Sequence, residues 1–334
     1  METPPPSGPP TISFTRNPNT RLPHEVVIPI RRPRVVAPAD AYRVAVGIAA
    51  DAPAIAQVGY RIFWMRGDGA CGSLEAPAER GKHLVVGRHD QCDLVLDDEE
   101  SVSLRHVLLR VSALDDGFPV LNVLDLETKQ GFELSDHSKQ RCVVATGPLV
   151  FRVGIHTLVA LPNGVKVDPE LPPPVVERAD ADPYVVRAQR VDLAPEMRSR
   201  RATRITLIPS SVRFGDAPIV GSESHAARYE VVVEQGDRRA AVRLTARDVE
   251  HGVLIGRNDK CVDAGLRSIL TEYCSRVHAL VIRETDGVFL YDTASTVGTY
   301  SRRARVRCVA LTDEGTELSL AGDSGVTLRW RSVN

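Results

Sequence analysis

One ordered set of residues occurs twice in this sequence, and the repeat is the feature that most restricts how the chain can fold. Each copy has a Gly-Arg step, then a Ser-x-x-His segment, then an aspartate and a final glycine, at nearly the same spacing. The copies consist of Gly87-Arg88, Ser103-Leu104-Arg105-His106, Asp125 and Gly131, and of Gly256-Arg257, Ser275-Arg276-Val277-His278, Asp292 and Gly298. Such a repeat indicates two copies of one small domain.

Short strand-like runs surround both copies. Many runs alternate polar and apolar residues, as in Val-Arg-Leu at 242–244 and Thr-Leu-Arg-Trp at 327–330. Alternation of this kind is typical of a strand with one face on a core and the other in water. Turn residues such as Asp115-Asp116-Gly117 separate the runs, and no long helical stretch interrupts them. The pattern predicts an all-β fold with two β-sandwiches.

Proline and charge divide the chain into segments. Its 334 residues are enough for two ordinary domains and linkers. Five of the first ten residues are proline, and we expect residues 1–41 to be a disordered tail with polyproline II character. Residues 42–165 form the first predicted sandwich and residues 204–334 the second. Residues 166–203 contain LPPPVV and ERADADP, and they are predicted to be a Pro-rich, charged linker.

Composition and charge argue against several classes of partner. The formal net charge is −1, so no global basic field would attract nucleic acid or an anionic membrane. No apolar run reaches the roughly 18–20 residues of a membrane span. The N-terminus, METPPPSGPP, lacks a secretory pattern. The six cysteines include no C-x-x-C pair, which favours reduced thiols in a cytoplasmic protein over a zinc site.

No cofactor or catalytic motif is present either. The acidic run Asp97-Asp98-Glu99-Glu100 lacks the alternating ligands and the glycine of a calcium loop, and we interpret it as a solvated loop. The chain contains no Walker loop, dinucleotide fingerprint or nucleophile–base–acid set. We therefore expect no metal, no cofactor, no catalytic residue and no enzymatic activity.

The repeated residues are suited to binding an oxyanion rather than to breaking a bond. A phosphate carries nearly two negative charges near neutral pH and offers three strong acceptor oxygens. Arginine meets such a group with charge-assisted, often bidentate hydrogen bonds. A serine hydroxyl adds a donor, and a glycine lets the chain approach closely. Arg88 and Arg257 each follow a predicted strand, and Ser103 and Ser275 lie in the next loop, which together indicates a phosphate cradle.

This order of residues resembles the forkhead-associated (FHA) domain, a family of phosphothreonine-binding β-sandwiches, and the second copy is the more similar. The resemblance covers both β regions and is closest to bacterial tandem proteins. It implies that Arg88 and Ser103 contact phosphate in the first domain. In the second domain, it implies the same role for Arg257 and Ser275.

The resemblance also implies roles for neighbouring residues. The position two before the final glycine supplies a further phosphate donor, here Lys129 or Thr296, and the residue after the second serine, Arg276, is a further candidate. The remaining repeated residues are expected to support the loops. These structural residues are Gly87, His106, Gly131, Gly256, His278 and Gly298.

Two positions depart from the family pattern. The family usually has asparagine before the final glycine, where it binds the peptide backbone, but this chain has Gln130 and Val297. Glutamine keeps the amide with a different reach, whereas valine has no side-chain donor or acceptor. Losing one such hydrogen bond costs about 0.5–1.5 kcal/mol. We therefore expect weaker or altered peptide selection in the second domain.

The expected function is a phosphothreonine-dependent adaptor that acts downstream of a serine/threonine kinase and binds phosphothreonine-containing proteins. The alternative is a phosphate-independent structural scaffold built from degenerate FHA sandwiches, which Gln130 and Val297 favour. Four threonines outside the predicted sandwiches could become tethered ligands if phosphorylated, because tethering raises the effective concentration. They are Thr11, Thr15 and Thr20 in the tail and Thr203 in the linker.

Overall fold

The computed structural model describes a chain built mainly from β-strands that form two sandwiches, and the predicted all-β fold is confirmed. The described residues are 35–52, 55–96, 101–113, 117–164, 176–178, 186–188, 227–261, 263–270, 272–284, 286–322 and 325–333. The four threonines named above and the acidic run at 97–100 lie outside these residues.

The described residues of the first sandwich form eleven strands in two layers. In chain order they are β1 (Gly59–Met65), β2 (Cys71–Pro77), β3 (Leu84–Gly87), β4 (Leu94–Val95), β5 (Val107–Ala113), β6 (Pro119–Asp125), β7 (Phe132–Leu134), β8 (Lys139–Gln140), β9 (Cys142–Ala145), β10 (Leu149–Val153) and β11 (His156–Pro162). One layer has the order β2-β1-β11-β10-β7-β8 and the other β4-β3-β5-β6-β9. All pairs are antiparallel except β3 with β4, which is parallel.

The described residues of the predicted linker form two short strands, and those of the second sandwich form ten more. The linker strands are β12 (Val176–Arg178) and β13 (Val186–Ala188), which pair antiparallel. The strands of the second sandwich are β14 (Ala227–Gln235), β15 (Arg238–Thr245), β16 (Val253–Ile255), β17 (Ala279–Glu284), β18 (Gly287–Asp292), β19 (Thr299–Ser301), β20 (Ala304–Val306), β21 (Cys308–Leu311), β22 (Thr316–Leu320) and β23 (Val326–Ser332). Its layers are ordered β15-β14-β23-β22-β19-β20 and β16-β17-β18-β21.

The second sandwich repeats the strand order of the first. Its six-stranded layer matches the six-stranded layer of the first sandwich position by position, and its four-stranded layer matches β3-β5-β6-β9. In place of β4, the second sandwich has the helix α3 (Ala264–Ile269), whose Leu266 and Ile269 are buried in the core. This helix fills the longer segment between Arg257 and Ser275.

Two other helices were not predicted from the sequence. Helix α2 (Ala246–His251) begins with a capping box in which Thr245 and Asp248 exchange hydrogen bonds. Helix α1 (Pro38–Asp51) packs Tyr42, Ala45 and Val46 on the outer face of β10 and β11. None of the helices in the described part of the chain is long and apolar enough to span a membrane.

Helix α1 corrects the predicted limit of the tail. The limit between residues 41 and 42 falls inside the helix, and Ala41 is fully buried. Ala41, Tyr42, Ala45 and Val46 recur at helical spacing and cover Phe63 and its neighbours. Residues 38–41 therefore belong with the first sandwich, because burial of this apolar stripe stabilises the helix.

Gly47 on α1 provides a test of this helix. It is exposed, and nothing lies within 4 Å of the position that a Cβ would take. We expect Gly47→Ala to raise the free energy of unfolding, measured in urea, by about 0.5–1 kcal/mol. Gly69 has equally open space but a φ of 94°, so Gly69→Ala should instead destabilise. If Gly47→Ala has no effect, the helix does not unfold together with the sandwich.

A third apolar cluster lies between the sandwiches. The alternation in β5 explains it, because Val107, Leu109 and Val111 face the first core while Leu108 faces this cluster. Equivalent positions of the two copies meet here. The pairs are Val85 and Leu254, Cys92 and Cys261, Leu108 and Leu280, Leu124 and Tyr291, and Cys142 and Cys308. The two sandwiches therefore pack through the same face in a self-complementary way, as in a two-fold interface.

Polar contacts border this cluster. Arg307 of the second sandwich makes two hydrogen bonds to the carboxylate of Asp93, at 2.8 and 2.6 Å. Arg110 Nη1 lies 2.8 Å from Glu284 Oε1, and both of these side chains are largely buried. A bidentate arginine–carboxylate pair is geometrically specific. These contacts therefore orient one sandwich relative to the other.

Candidate functional site

The repeated loops lie side by side at one end of each sandwich. In the first, Arg88 N donates to Ser103 O at 3.1 Å. In the second, Arg257 N donates to Ser275 O at 3.3 Å. The histidine backbone N–H groups then pair with the preceding strand, at 2.8 Å in both copies. The structure thus brings the Gly-Arg step and the Ser-x-x-His turn together twice.

The glycine of each Gly-Arg step is required by close approach. A Cβ on Gly256 would overlap the carbonyl oxygen of Arg276 and lie 2.8 Å from its carbonyl carbon. A Cβ on Gly87 would overlap Leu104 in the same way, 2.9 Å from its carbonyl carbon. These neighbours are backbone atoms, which cannot rotate away. Gly87 and Gly256 therefore let the serine turn contact the strand end.

The repeated histidines tie the serine turn in place. His106 Nδ1 accepts from Ser103 N at 3.1 Å, so Nε2 carries the hydrogen and donates to Gly131 O at 2.8 Å. His278 Nδ1 accepts from Ser275 N at 3.2 Å. Burial lowers the pKa of both rings, so they are neutral near pH 7. In both copies the histidine therefore ties the backbone of the serine turn to the strand that follows it.

The repeated aspartates order the loop that ends at the final glycine. Asp125 accepts from Thr128 N at 3.0 Å and from Thr128 Oγ1 at 2.6 Å. Asp292 accepts from Ser295 N at 2.7 Å and from Ser295 Oγ at 2.5 Å. The aspartate and the hydroxyl three residues later form a second repeated signal that the sequence analysis missed.

The glycines at the end of these loops have backbone conformations that favour glycine. Gly131 has a φ of 69° and Gly298 a φ of 100°. In this region a side chain on an L-residue meets the backbone, whereas glycine does not. Both predicted structural glycines therefore occupy positions where the turn requires them.

The predicted phosphate-binding side chains of the first sandwich are accessible. Arg88, Lys129 and Gln130 are exposed, and Ser103 is half-buried. Within the described part of the chain, none of these four side chains makes a hydrogen bond or ion pair. Backbone bonds place Arg88 beside Ser103, but no side-chain contact links Ser103 to Lys129 or Gln130. The first site is thus an open surface with two cations and no bound carboxylate.

The second site is more closely assembled. Ser275 Oγ accepts from Thr296 N at 3.1 Å, which joins the serine turn to the following loop. Arg257 Nε donates to Cys274 O at 2.5 Å, so its side chain lies along the serine turn. Arg276 is exposed and forms no ion pair in the described residues. Val297 is half-buried and packs on the second core, so its side chain contributes no polar group to the site.

Two cysteines support the serine turns, and the sequence analysis did not assign them this role. Cys92 Sγ donates to Leu104 O and Cys261 Sγ to Arg276 O, both at 3.3 Å. Burial raises the pKa of Cys92 to about 11 and that of Cys261 to about 12, so both thiols keep their hydrogen. Each cysteine lies four residues after its arginine, a repeated spacing that could have revealed the role. None of the six cysteines forms a disulfide.

Each sandwich also places a cationic side chain against a loop of the other sandwich. Arg105 Nε and Nη2 donate to Ala294 O at 2.9 and 2.6 Å. Lys260 Nζ donates to Glu127 O at 2.9 Å and to Thr128 O at 3.3 Å. Ala294 and Glu127 are equivalent positions in the two copies, each two residues after the repeated aspartate. No sequence signal predicted these contacts, because the partners of Arg105 lie 189 residues away.

The described residues contain no group of three or more histidine, cysteine, aspartate or glutamate side chains that could hold a metal ion. The predicted phosphate-binding residues in these loops are hydrogen-bond donors and cations, a set that is suited to an anion.

Each sandwich presents an arginine and a serine on adjacent end loops. The family model of the FHA domain matches residues 253–320, from the start of β16 to the end of β22. The matched residues lie within the second sandwich, which spans β14 to β23. No curated protein matches the chain significantly.

Several solved FHA structures resemble parts of the chain. FHA-1 of Mycobacterium tuberculosis Rv1747 is 20% identical, with 32% of this chain and 100% of that chain covered and a TM-score of 0.26. The FHA domain of Chlamydia trachomatis CT664 is 19% identical, with coverages of 31% and 96% and a TM-score of 0.27. The yeast Dun1 FHA domain, solved with a doubly phosphorylated peptide, is 17% identical, with coverages of 36% and 86% and a TM-score of 0.28.

Proposed function

We propose that this protein is a cytoplasmic, non-enzymatic adaptor that binds phosphothreonine-containing proteins through both sandwiches, downstream of a serine/threonine kinase. One observation carries the proposal. In both sandwiches the same backbone hydrogen bonds hold the arginine beside the serine turn, and neither arginine forms an ion pair with a described carboxylate. The FHA match at residues 253–320 supports it.

Charge favours a phosphorylated ligand at these loops. Arg88 and Lys129 flank the first serine turn, and Arg257 and Arg276 flank the second. A phosphothreonine brings nearly two negative charges and three acceptor oxygens, so it satisfies several of these donors at once. An unphosphorylated threonine offers a single neutral hydroxyl and leaves the cations without an anion.

The packing of the two sandwiches affects which partners a tandem adaptor would bind. The shared apolar cluster and the Arg307–Asp93 pair hold the two loop ends in one arrangement. Two sites at a fixed separation favour a doubly phosphorylated partner of matching spacing, because the second contact becomes intramolecular. Partners with other spacings would occupy one site at a time.

The arginines test the proposal directly. Losing a charge-assisted hydrogen bond costs about 1.5–3 kcal/mol, and this corresponds to roughly a tenfold to hundredfold loss of affinity. We expect Arg88→Ala and Arg257→Ala each to weaken one site by this factor, and the double variant to remove phosphate-dependent binding. The measurement is fluorescence anisotropy of the full chain with a labelled degenerate phosphothreonine peptide library.

Arg43→Ala provides the matched control, since Arg43 is an exposed arginine on α1 whose ion pair among the described residues is with the exposed Asp40. It should leave binding unchanged. The same library without phosphate should bind far more weakly. Equal binding of both libraries, or full binding by the double variant, would instead support the phosphate-independent scaffold, the alternative that Val297 favours.

A further inference from the structure

We propose that the first sandwich completes the phosphate-binding site of the second, through Arg105 and His89 acting on Thr296. The inference rests on the proposed phosphate binding and adds a partner to it, because residues of both sandwiches would then serve one site. In this arrangement the second site works fully only while the sandwiches are packed together.

The contacts of Thr296 carry the argument. Its backbone N–H donates to Ser275 Oγ at 3.1 Å, which places the residue inside the predicted site. Its hydroxyl oxygen lies 3.4 Å from Arg105 Nη2 and 3.4 Å from His89 Nε2, both in the first sandwich. Thr296 itself is exposed. An accessible hydroxyl of the second site thus has its two protein neighbours on the other sandwich.

The two hydrogen bonds that Thr296 Oγ1 accepts direct its own hydrogen away from the protein. A guanidinium can only donate. His89 Nδ1 accepts from Gln91 N at 3.1 Å, so Nε2 carries the hydrogen and donates to Thr296 Oγ1. If His89 is protonated, Nδ1 donates to Asp90 Oδ1 at 2.8 Å, and Nε2 still carries a hydrogen. With two donors on its oxygen, the Thr296 hydroxyl turns its own hydrogen toward an external acceptor such as a phosphate oxygen. Arg105 and His89 are therefore positioning residues.

Arg105 also brings a buried charge to the edge of the site. Its side chain is 6% exposed and forms no ion pair with a described carboxylate, being held by the Ala294 carbonyl. Burial is the main reason that the pKa of Arg105 is lowered; Arg276 acts in the same direction, whereas Cys92, Asp292 and Asp90 oppose it. A phosphate bound at Thr296 would be attracted by both cations and would offset their repulsion.

The equivalent contact in the other direction, from Lys260 of the second sandwich to the first, does not complete the first site. Lys260 reaches the equivalent loop but bonds only to the backbone carbonyls of Glu127 and Thr128. Among the described residues it forms no hydrogen bond with the side chain of Lys129 or Gln130. Lys260 therefore supports the packing of the sandwiches without entering a site, and it supplies a matched control.

The test uses the full chain carrying Arg88→Ala, so that the second site alone reports. Fluorescence anisotropy with the labelled phosphothreonine library should show about three- to tenfold weaker binding for Arg105→Gln. Arg105→Lys should recover part of the loss because it restores the charge, and Lys260→Gln should bind like the parent. In a Thr296→Val background, Arg105→Gln should have a smaller effect, since the hydroxyl that Arg105 orients is gone.

The outcomes separate this inference from the proposed function. If the Arg88→Ala chain does not prefer phosphorylated peptides, both proposals fail. If it does prefer them and Arg105→Gln binds equally well, only this inference is overturned. Equal losses for Arg105→Gln and Lys260→Gln would assign the effect to packing and would also overturn it. If Arg105→Gln misfolds, His89→Ala tests the inference instead. We expect it to lower the peptide affinity about twofold, and an unchanged affinity would overturn the inference.

Discussion

Asp292→Ala is expected to lower the free energy of unfolding by about 3–5 kcal/mol, because it breaks a buried charged network. Asp292 is 4% exposed and accepts from Ser295 N, Ser295 Oγ and Thr299 Oγ1 at 2.7, 2.5 and 2.7 Å. Ser295 and Thr299 are fully buried. Without the carboxylate, their donors lose their partners and gain no water. Urea denaturation of the full chain measures the loss.

Graded substitution strengthens this experiment. Asp292→Asn keeps one carbonyl oxygen, and the two hydroxyls can rotate to accept from the new amide, so its cost should be smaller. Asp237 lies exposed between β14 and β15, and Asp237→Ala should change stability by no more than about 0.5 kcal/mol. A loss below 1 kcal/mol for Asp292→Ala would show that the network does not hold the loop.

The loop that Asp292 orders also carries Thr296 and Val297. We therefore expect Asp292→Ala to weaken phosphopeptide binding at the second site more than at the first. Binding measured under conditions where the variant stays folded distinguishes this local effect from global unfolding.

Gly256→Ala is expected to destabilise the chain by about 1–3 kcal/mol and to abolish binding at the second site. The new methyl group would overlap the carbonyl of Arg276 and lie 3.0 Å from Val277 Cα. Relief requires the serine turn to move away from the strand. That movement would break the bonds from Arg257 N to Ser275 O and from Asn258 N to Arg276 O.

Gly147 is the matched control for this variant. Nothing lies within 4 Å of its Cβ position, and its φ is not positive. Gly147→Ala should therefore fold and bind like the parent. Thermal unfolding and peptide anisotropy on the same samples check both parts. If Gly256→Ala binds normally, arginine and serine need not be adjacent, and the proposed site would be wrong.

The repeated motif predicted the loop neighbours because each element follows a strand end. Arg88 and Ser103 belong to adjacent loops of antiparallel strands, so pairing of β3 with β5 brings them together. Helix α1 was harder to predict, since Ala41, Tyr42, Ala45 and Val46 form a short stripe beside a proline-rich segment. Helix α3 was missed because two turns give too few apolar positions for a periodic signal.

Strand β5 shows which part of the packing the sequence does not predict. Val107, Leu108 and Leu109 are consecutive apolar residues, and such a run predicts that both faces of a strand are covered. It does not reveal what covers the second face. In the structure, that cover is the equivalent face of the other sandwich.

The sequence by itself determined the β-sandwich class and the repeated loops that carry the candidate site residues, because side-chain alternation and turn residues act over short stretches of chain. Only the tertiary structure decided that Arg105 and His89 lie against Thr296. These groups are far apart in sequence, and the packing of two self-complementary sheet faces brings them together. Local patterns carry no information about which apolar surfaces will meet, so this part of the site emerges only when the sandwiches are packed.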